Sequence, residues 1–149
     1  MFQTVRAVPL FVVLIGAILI TGCGGGSGLP SSNQVTVMVT PSQASVAGGG
    51  TLALKGSATG FTQTPIVQWW IQEAKDAGGS DDCGYLTPPP VSACQFGYVI
   101  FGSVAQFPSS ATYYAPLTPG TYHITFEATQ FTTFDHLTKT TTATVNVTP

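Results

Sequence analysis

Few side chains in this sequence can do chemistry, and their spacing limits what that chemistry is. Three cysteines (Cys23, Cys83, Cys94), two histidines (His123, His136) and six acids make up the usual ligands and acid–base groups. Three of the acids, Asp76, Asp81 and Asp82, lie in KDAGGSDDCG. Carboxylates in a glycine-rich loop are the oxygen ligands Ca²⁺ takes. An EF-hand loop, however, wants them at alternate positions with a distal Glu, which is not this spacing. They read as a solvated polar turn, and no metal is assigned. Asp135 precedes His136, but neighbours on a turn do not make a triad, and no serine sits in a G-x-S-x-G elbow. His123 and Glu127 share one face of a strand, where four residues of separation means about 13 Å. No catalytic residue and no cofactor are assigned, and the chain reads as non-enzymatic.

The elements that place these residues begin at the N-terminus. Ala7 to Ile20 (AVPLFVVLIGAILI) is fourteen residues without a charge, and Arg6 precedes it. That is short of the roughly 20 residues a membrane-spanning helix needs. It suits the apolar region of an export signal better than a buried core helix, because position and flanks both fit export. Ile20-Thr21-Gly22-Cys23 then resembles a bacterial lipobox: a branched apolar residue, two small residues, and cysteine. The resemblance implies cleavage before Cys23, a diacylglyceryl group on its sulfur and an acylated amine. The alternative is an ordinary export signal that leaves Cys23 a free thiol. Each buried methylene adds about 0.8 kcal/mol, so several acyl chains anchor a protein firmly. Gly24 rather than Asp after the cysteine implies, in Gram-negative lipoproteins of this kind, passage to the outer membrane.

The expected organisation is therefore a signal peptide over 1–22, a lipidated Cys23 with a Gly/Ser linker to residue 34 (GGGSGLPSSNQ from Gly24), and one domain over 35–149. The mature chain keeps Lys55, Lys75 and Lys139 against six acids, a formal charge of −3. So sparse and slightly acidic a surface argues against nucleic acid, which needs many phosphate-neutralising cations. Export also sets the expectation for Cys83 and Cys94. Ten residues lie between them, and an oxidising compartment favours a disulfide. A zinc site is the rival, but two cysteines without a nearby His or Cys are a poor ligand set.

From Gln34 onward apolar residues alternate with polar ones. Val35, Val37 and Val39 share one parity, as do Leu52, Leu54 and Ala58, and Val67, Trp69 and Ile71. So do Ala111, Tyr113 and Ala115, then Tyr122, Ile124, Phe126 and Ala128, and finally Ala143, Val145 and Val147. Period two with polar partners predicts sheets with one wet face. Breaks fall at Gly48-Gly49-Gly50, Pro65, Pro88-Pro89-Pro90, Pro116 and Pro119-Gly120, and no sustained helical period follows residue 34. The abundant threonines suit a pleated surface and solvate it without charge. The expected fold is all-β, a β-sandwich of six or seven short strands.

The pattern resembles the bacterial immunoglobulin-like domains of surface proteins, in their group-2-like variety. Val35–Pro41 is similar to the opening V-x-V-x-V-x-P strand, Ala47–Leu54 to the turn into the second strand, and Val67-Gln68-Trp69 to the V-x-W of the third. Tyr113–Pro116 is similar to Y-x-A-P, Pro119–Thr125 to the following PGTYxxT strand, and Lys139–Thr148 to the closing A-x-V-x-V. The resemblance implies an immunoglobulin-like Greek-key sandwich of about seven strands. One departure stands out. The stretch between Glu73 and Ser110 is longer than usual and holds Cys83, Cys94, the run Pro88-Pro89-Pro90 and an extra apolar run, Gly97–Val104.

The aromatics complete the expectations. Trp69 is in phase with the core and reads as its central residue, and Tyr122, just after Pro119-Gly120, is placed for a hydroxyl bond back to the backbone. Trp70 has the opposite parity. Either the long stretch folds over it through Tyr85, Phe96 or Phe101, or it is an open platform for a sugar or a protein. Trp70, Tyr85, Phe96 and Tyr98 form the candidate binding surface. The reading is a lipid-anchored envelope protein whose non-catalytic module supports structure or adhesion-type contacts with a protein, with a glycan-binding module as the alternative.

Overall fold

The computed structural model describes residues 28–78, 94–102 and 108–149. Their order is β1 (Thr36–Thr40), β2 (Gln43–Ala47), β3 (Thr51–Thr59), β4 (Ile66–Ile71), α1 (Gln72–Asp76), β5 (Tyr98–Phe101), β6 (Ser109–Tyr114), β7 (Gly120–Phe131) and β8 (His136–Thr148). They build two four-stranded sheets, ordered β1-β3-β6-β5 and β2-β8-β7-β4. All pairings are antiparallel except β2 on β8, which is parallel. This is an all-β sandwich, as the alternation predicted. Eight strands appear among the described residues, not six or seven. The addition in the first stretch is β2, QASVA, whose residues alternate only between exposed and half-buried. It lies on the edge of the second sheet, where weak patterning suffices.

The core is the set of in-phase residues. Val67, Trp69 and Ile71 of β4 meet Ile124, Phe126 and Ala128 of β7, with Tyr113 from β6 and Val145 from β8, all buried. Trp69 packs on Phe126 with ring centroids 4.7 Å apart. Full burial of such a side chain contributes roughly 1.5–3 kcal/mol. Gly56 on β3 makes room for Phe126, since a Cβ there would lie 2.5 Å from its Cε2. Threonine covers the outer face of the second sheet. Thr125 bonds Thr142 at 3.1 Å and Thr129 bonds Thr138 at 2.8 Å, cross-strand pairs that satisfy hydroxyls without charge.

The sandwich has two poles. One gathers the start of β1, the end of β3, the start of β4 and the β7–β8 turn, by the pairs Thr36↔Thr59, Ile66↔Thr129 and Phe131↔His136. The described N-terminal residues begin here: the Thr62 hydroxyl donates to the Gly28 carbonyl at 3.3 Å. Gln130, fully buried, locks the adjoining loop: its Oε1 accepts from the Thr62 and Gln63 N–H groups at 3.0 and 3.3 Å, and its Nε2 donates to the Thr62 hydroxyl at 2.7 Å. The opposite pole gathers the end of β4, α1, the start of β5 and the end of β6, with Tyr98↔Tyr114 and Thr51↔Tyr114 in register. Gly78 and Cys94, where the described residues stop and resume, therefore lie at the pole away from Gly28. Among the described residues no helix is long and apolar enough to cross a membrane.

Candidate binding surface around Trp70

The surface starts where β4 gives way to α1. Gln72–Asp76 (QEAKD) is made of residues that lose little freedom in a helix, with Glu73 in the first turn and Lys75 in the last, each favoured there by the helix dipole. This turn of helix departs from the expectation of none. It decides the fate of Trp70. As its parity predicted, Trp70 leaves the main core, and it is half-buried. Its Nε1–H donates to Gln72 Oε1 at 3.3 Å, and Lys75 Nζ stands 4.0 Å from the ring centroid. The ring is thus covered on one face by a cation one helical turn further along, an attraction of about 0.5–1 kcal/mol at an exposed site. Gln72 Nε2 donates in turn to Asp76 Oδ1 at 2.7 Å.

Phe96, Phe101 and Tyr98 do not cover Trp70 as a group. Phe96 and Phe101 pack against the main core. The Phe96 carbonyl accepts a bond from the Tyr113 hydroxyl at 3.0 Å. Burial, with smaller contributions from Tyr122 and Glu73, pushes the Tyr113 phenol far above its ordinary range, so it stays a donor. Tyr98 is corrected outright: it is 4% exposed and stacks on Tyr114 at 4.5 Å and 9°. Burial, and then Tyr114, raise its phenol. The reason is register. The extra apolar run forms β5, and pairing with Tyr114 puts Tyr98 on the face of the first sheet opposite Val99 and Tyr113, where it stacks on Tyr114 outside the main core. Of the four expected surface aromatics, the described residues leave Trp70 and the edge of Phe96 accessible. Tyr85 lies outside them.

Glu73 makes a contact that sequence reasoning missed. Its Oε2 accepts the His123 N–H at 3.0 Å, and its Oε1 lies 2.6 Å from His123 Nδ1. The ladder between β4 and β7 ends at Ile71↔Ile124, so the carboxylate takes over one strand amide just past the ladder. Both side chains are partly exposed, and the ionic part of such a pair is worth little. The QEAKD composition was the available signal; the His123 partner had none, being fifty residues away.

The remaining expectations divide cleanly. Trp69 is buried, with Nε1–H donating to Ser109 Oγ at 2.9 Å. Tyr122 donates its hydroxyl to the Thr118 carbonyl at 3.0 Å, the backward bond expected of it. Cys94 is buried, whereas Cys83, its expected partner, lies outside the described residues. Cys23, Asp81 and Asp82 also lie outside them, and Asp76 is held by Gln72. Among the described residues no three of His, Cys, Asp and Glu gather as metal ligands. No family model matches the chain, and no curated protein matches its sequence.

Proposed function

We propose that this chain is an immunoglobulin-like module held at a bacterial cell envelope by lipid on Cys23, working by contact and not by catalysis. The observation that carries the reading is the strand order. β1-β3-β6-β5 facing β2-β8-β7-β4 supports an immunoglobulin-like sandwich whose first strand divides between the two sheets. The Tyr122–Thr118 bond supports it, as a tyrosine corner at the entry to the penultimate strand.

Its contact surface is the segment from Ala74 to Ser110, closed by a Cys83–Cys94 disulfide. Long connections on a rigid scaffold are where binding residues concentrate. Gly78 and Cys94, which flank residues 79–93 in sequence, lie at the pole opposite Gly28, the position from which a tethered module reaches outward. The partner expected is a protein. A photo-reactive phenylalanine analogue at Tyr85 should capture one envelope or external protein on intact cells, and the same analogue at exposed Thr140 should not. If neither captures a protein, and tryptophan emission instead shifts with an envelope polysaccharide and stops doing so in Trp70→Ala, the glycan-binding alternative replaces this reading. Substrate turnover by the purified protein would defeat both.

A further inference from the structure

We infer that the β7–β8 hairpin tip is a membrane-contact surface, with Phe131 and Phe134 dipping into the interfacial layer of the bilayer that anchors the chain. The inference rests on the lipid-anchor reading of Cys23. Phe134, in the turn, is 97% exposed, Phe131 is 55% exposed, and Ile66 on the neighbouring strand is 43% exposed. Ile66 pairs with Thr129, two residues before Phe131, so the three form one apolar rim on the outer side of a single pole. Towards the opposite pole the exposed large apolar side chains are Leu117 and, on β5, Ile100, while Trp70 is half-buried under Lys75. Clustered exposed apolar groups mark contact with a protein or a membrane.

The tether selects the membrane. Gly28 is fixed at this pole through Thr62, which also bonds Gln130, the residue before Phe131. Only four residues lie between Cys23 and Gly28, which are five chain steps apart. At the full reach of a chain, five residues span at most about 18 Å. Lipid on Cys23 therefore holds this pole, and not the other, within that distance of the headgroups. An aromatic rim so confined meets the interface at high local concentration, where apolar groups settle about 5–10 Å into the headgroup–acyl boundary. The polar groups of the tip are compatible with a shallow contact. The Thr132 N–H and hydroxyl both bond the Asp135 carbonyl, at 2.8 and 3.1 Å, and the Asp135 carboxylate accepts the His136 N–H at 2.7 Å.

Phe134→Trp tests this in the full lipidated protein, reconstituted in vesicles of phosphatidylethanolamine and phosphatidylglycerol. At 97% exposure the site accepts the larger ring without disturbing the fold. Trp69 and Trp70, towards the other end of β4, supply the background, read from the wild type. The added emission should be blue-shifted, shielded from aqueous iodide, and mostly lost when the acyl chains carry bromine. Emission open to iodide and indifferent to brominated lipid overturns the inference while leaving the anchor intact. Shielding that grows with protein density, without quenching by brominated lipid, assigns the rim to a second copy and overturns it too. If mass spectrometry finds Cys23 without lipid, the anchor reading itself fails and takes this inference with it.

Discussion

The Tyr122 hydroxyl reaches four residues back to the Thr118 carbonyl, pinning the turn that feeds β7. A partly buried bond of this kind has a net worth of about 1 kcal/mol. Tyr122→Phe keeps the ring against the core and removes only the bond. The expected result is a loss of about 1 kcal/mol in urea unfolding with the slope of the transition unchanged. An unchanged midpoint would mean that the bond is ornamental. Trp69 and Trp70 show how much one step of parity decides. Trp69 turns inward and gives its N–H to Ser109, while Trp70 turns outward and meets Gln72 and Lys75. The two adjacent indoles therefore differ in role: one is packing, the other half of a surface.

At the scale of elements, the contact between β3 and β7 is governed by a missing side chain. Gly56 sits on the core face of β3 between Leu54 and Ala58, opposite the Phe126 ring. A methyl group there would fall 2.5 Å from Cε2 and 2.6 Å from Cδ2 of a ring with no exposed surface and nowhere to turn. Gly56→Ala should therefore lower stability by roughly 1–3 kcal/mol through overpacking, although alanine suits strands no worse than glycine. Thermal and chemical unfolding would show it, and a neutral outcome would mean that β3 can shift away from β7. The turn of helix α1 works the other way, adding contacts at the end of β4: Glu73 to the His123 amide and Lys75 to Trp70.

Over the whole molecule the division into two poles matters most. Gly28, the Gln130-locked loop and the aromatic rim share one pole, while α1, Trp70 and Cys94 share the other. On the lipid-anchor reading proposed above, the first pole is the module's inner end and the second its outer end. Its outer end is expected to depend on the Cys83–Cys94 link. Reduction, or Cys83→Ser, should lower the unfolding free energy by about 2–3 kcal/mol, the loop-closure contribution for so short a loop. Equal stability in oxidised and reduced samples would remove that link from the account.

What the sequence determined by itself was six of the eight strands and their inward faces. Period-two alternation is a local signal, so Val67, Trp69 and Ile71, or Tyr122, Ile124 and Phe126, could be placed in a core without knowing what they face. The Tyr122 bond was legible for the same reason, because its partner is four residues away. Only the tertiary structure decided where the long-range partners fell. Glu73 meets His123, Tyr98 is buried against Tyr114, and Gly28 comes to rest beside the loop that Gln130 secures. Each depends on which strands pair and in what register, and register is set by the sum of cross-strand contacts, not by any one segment.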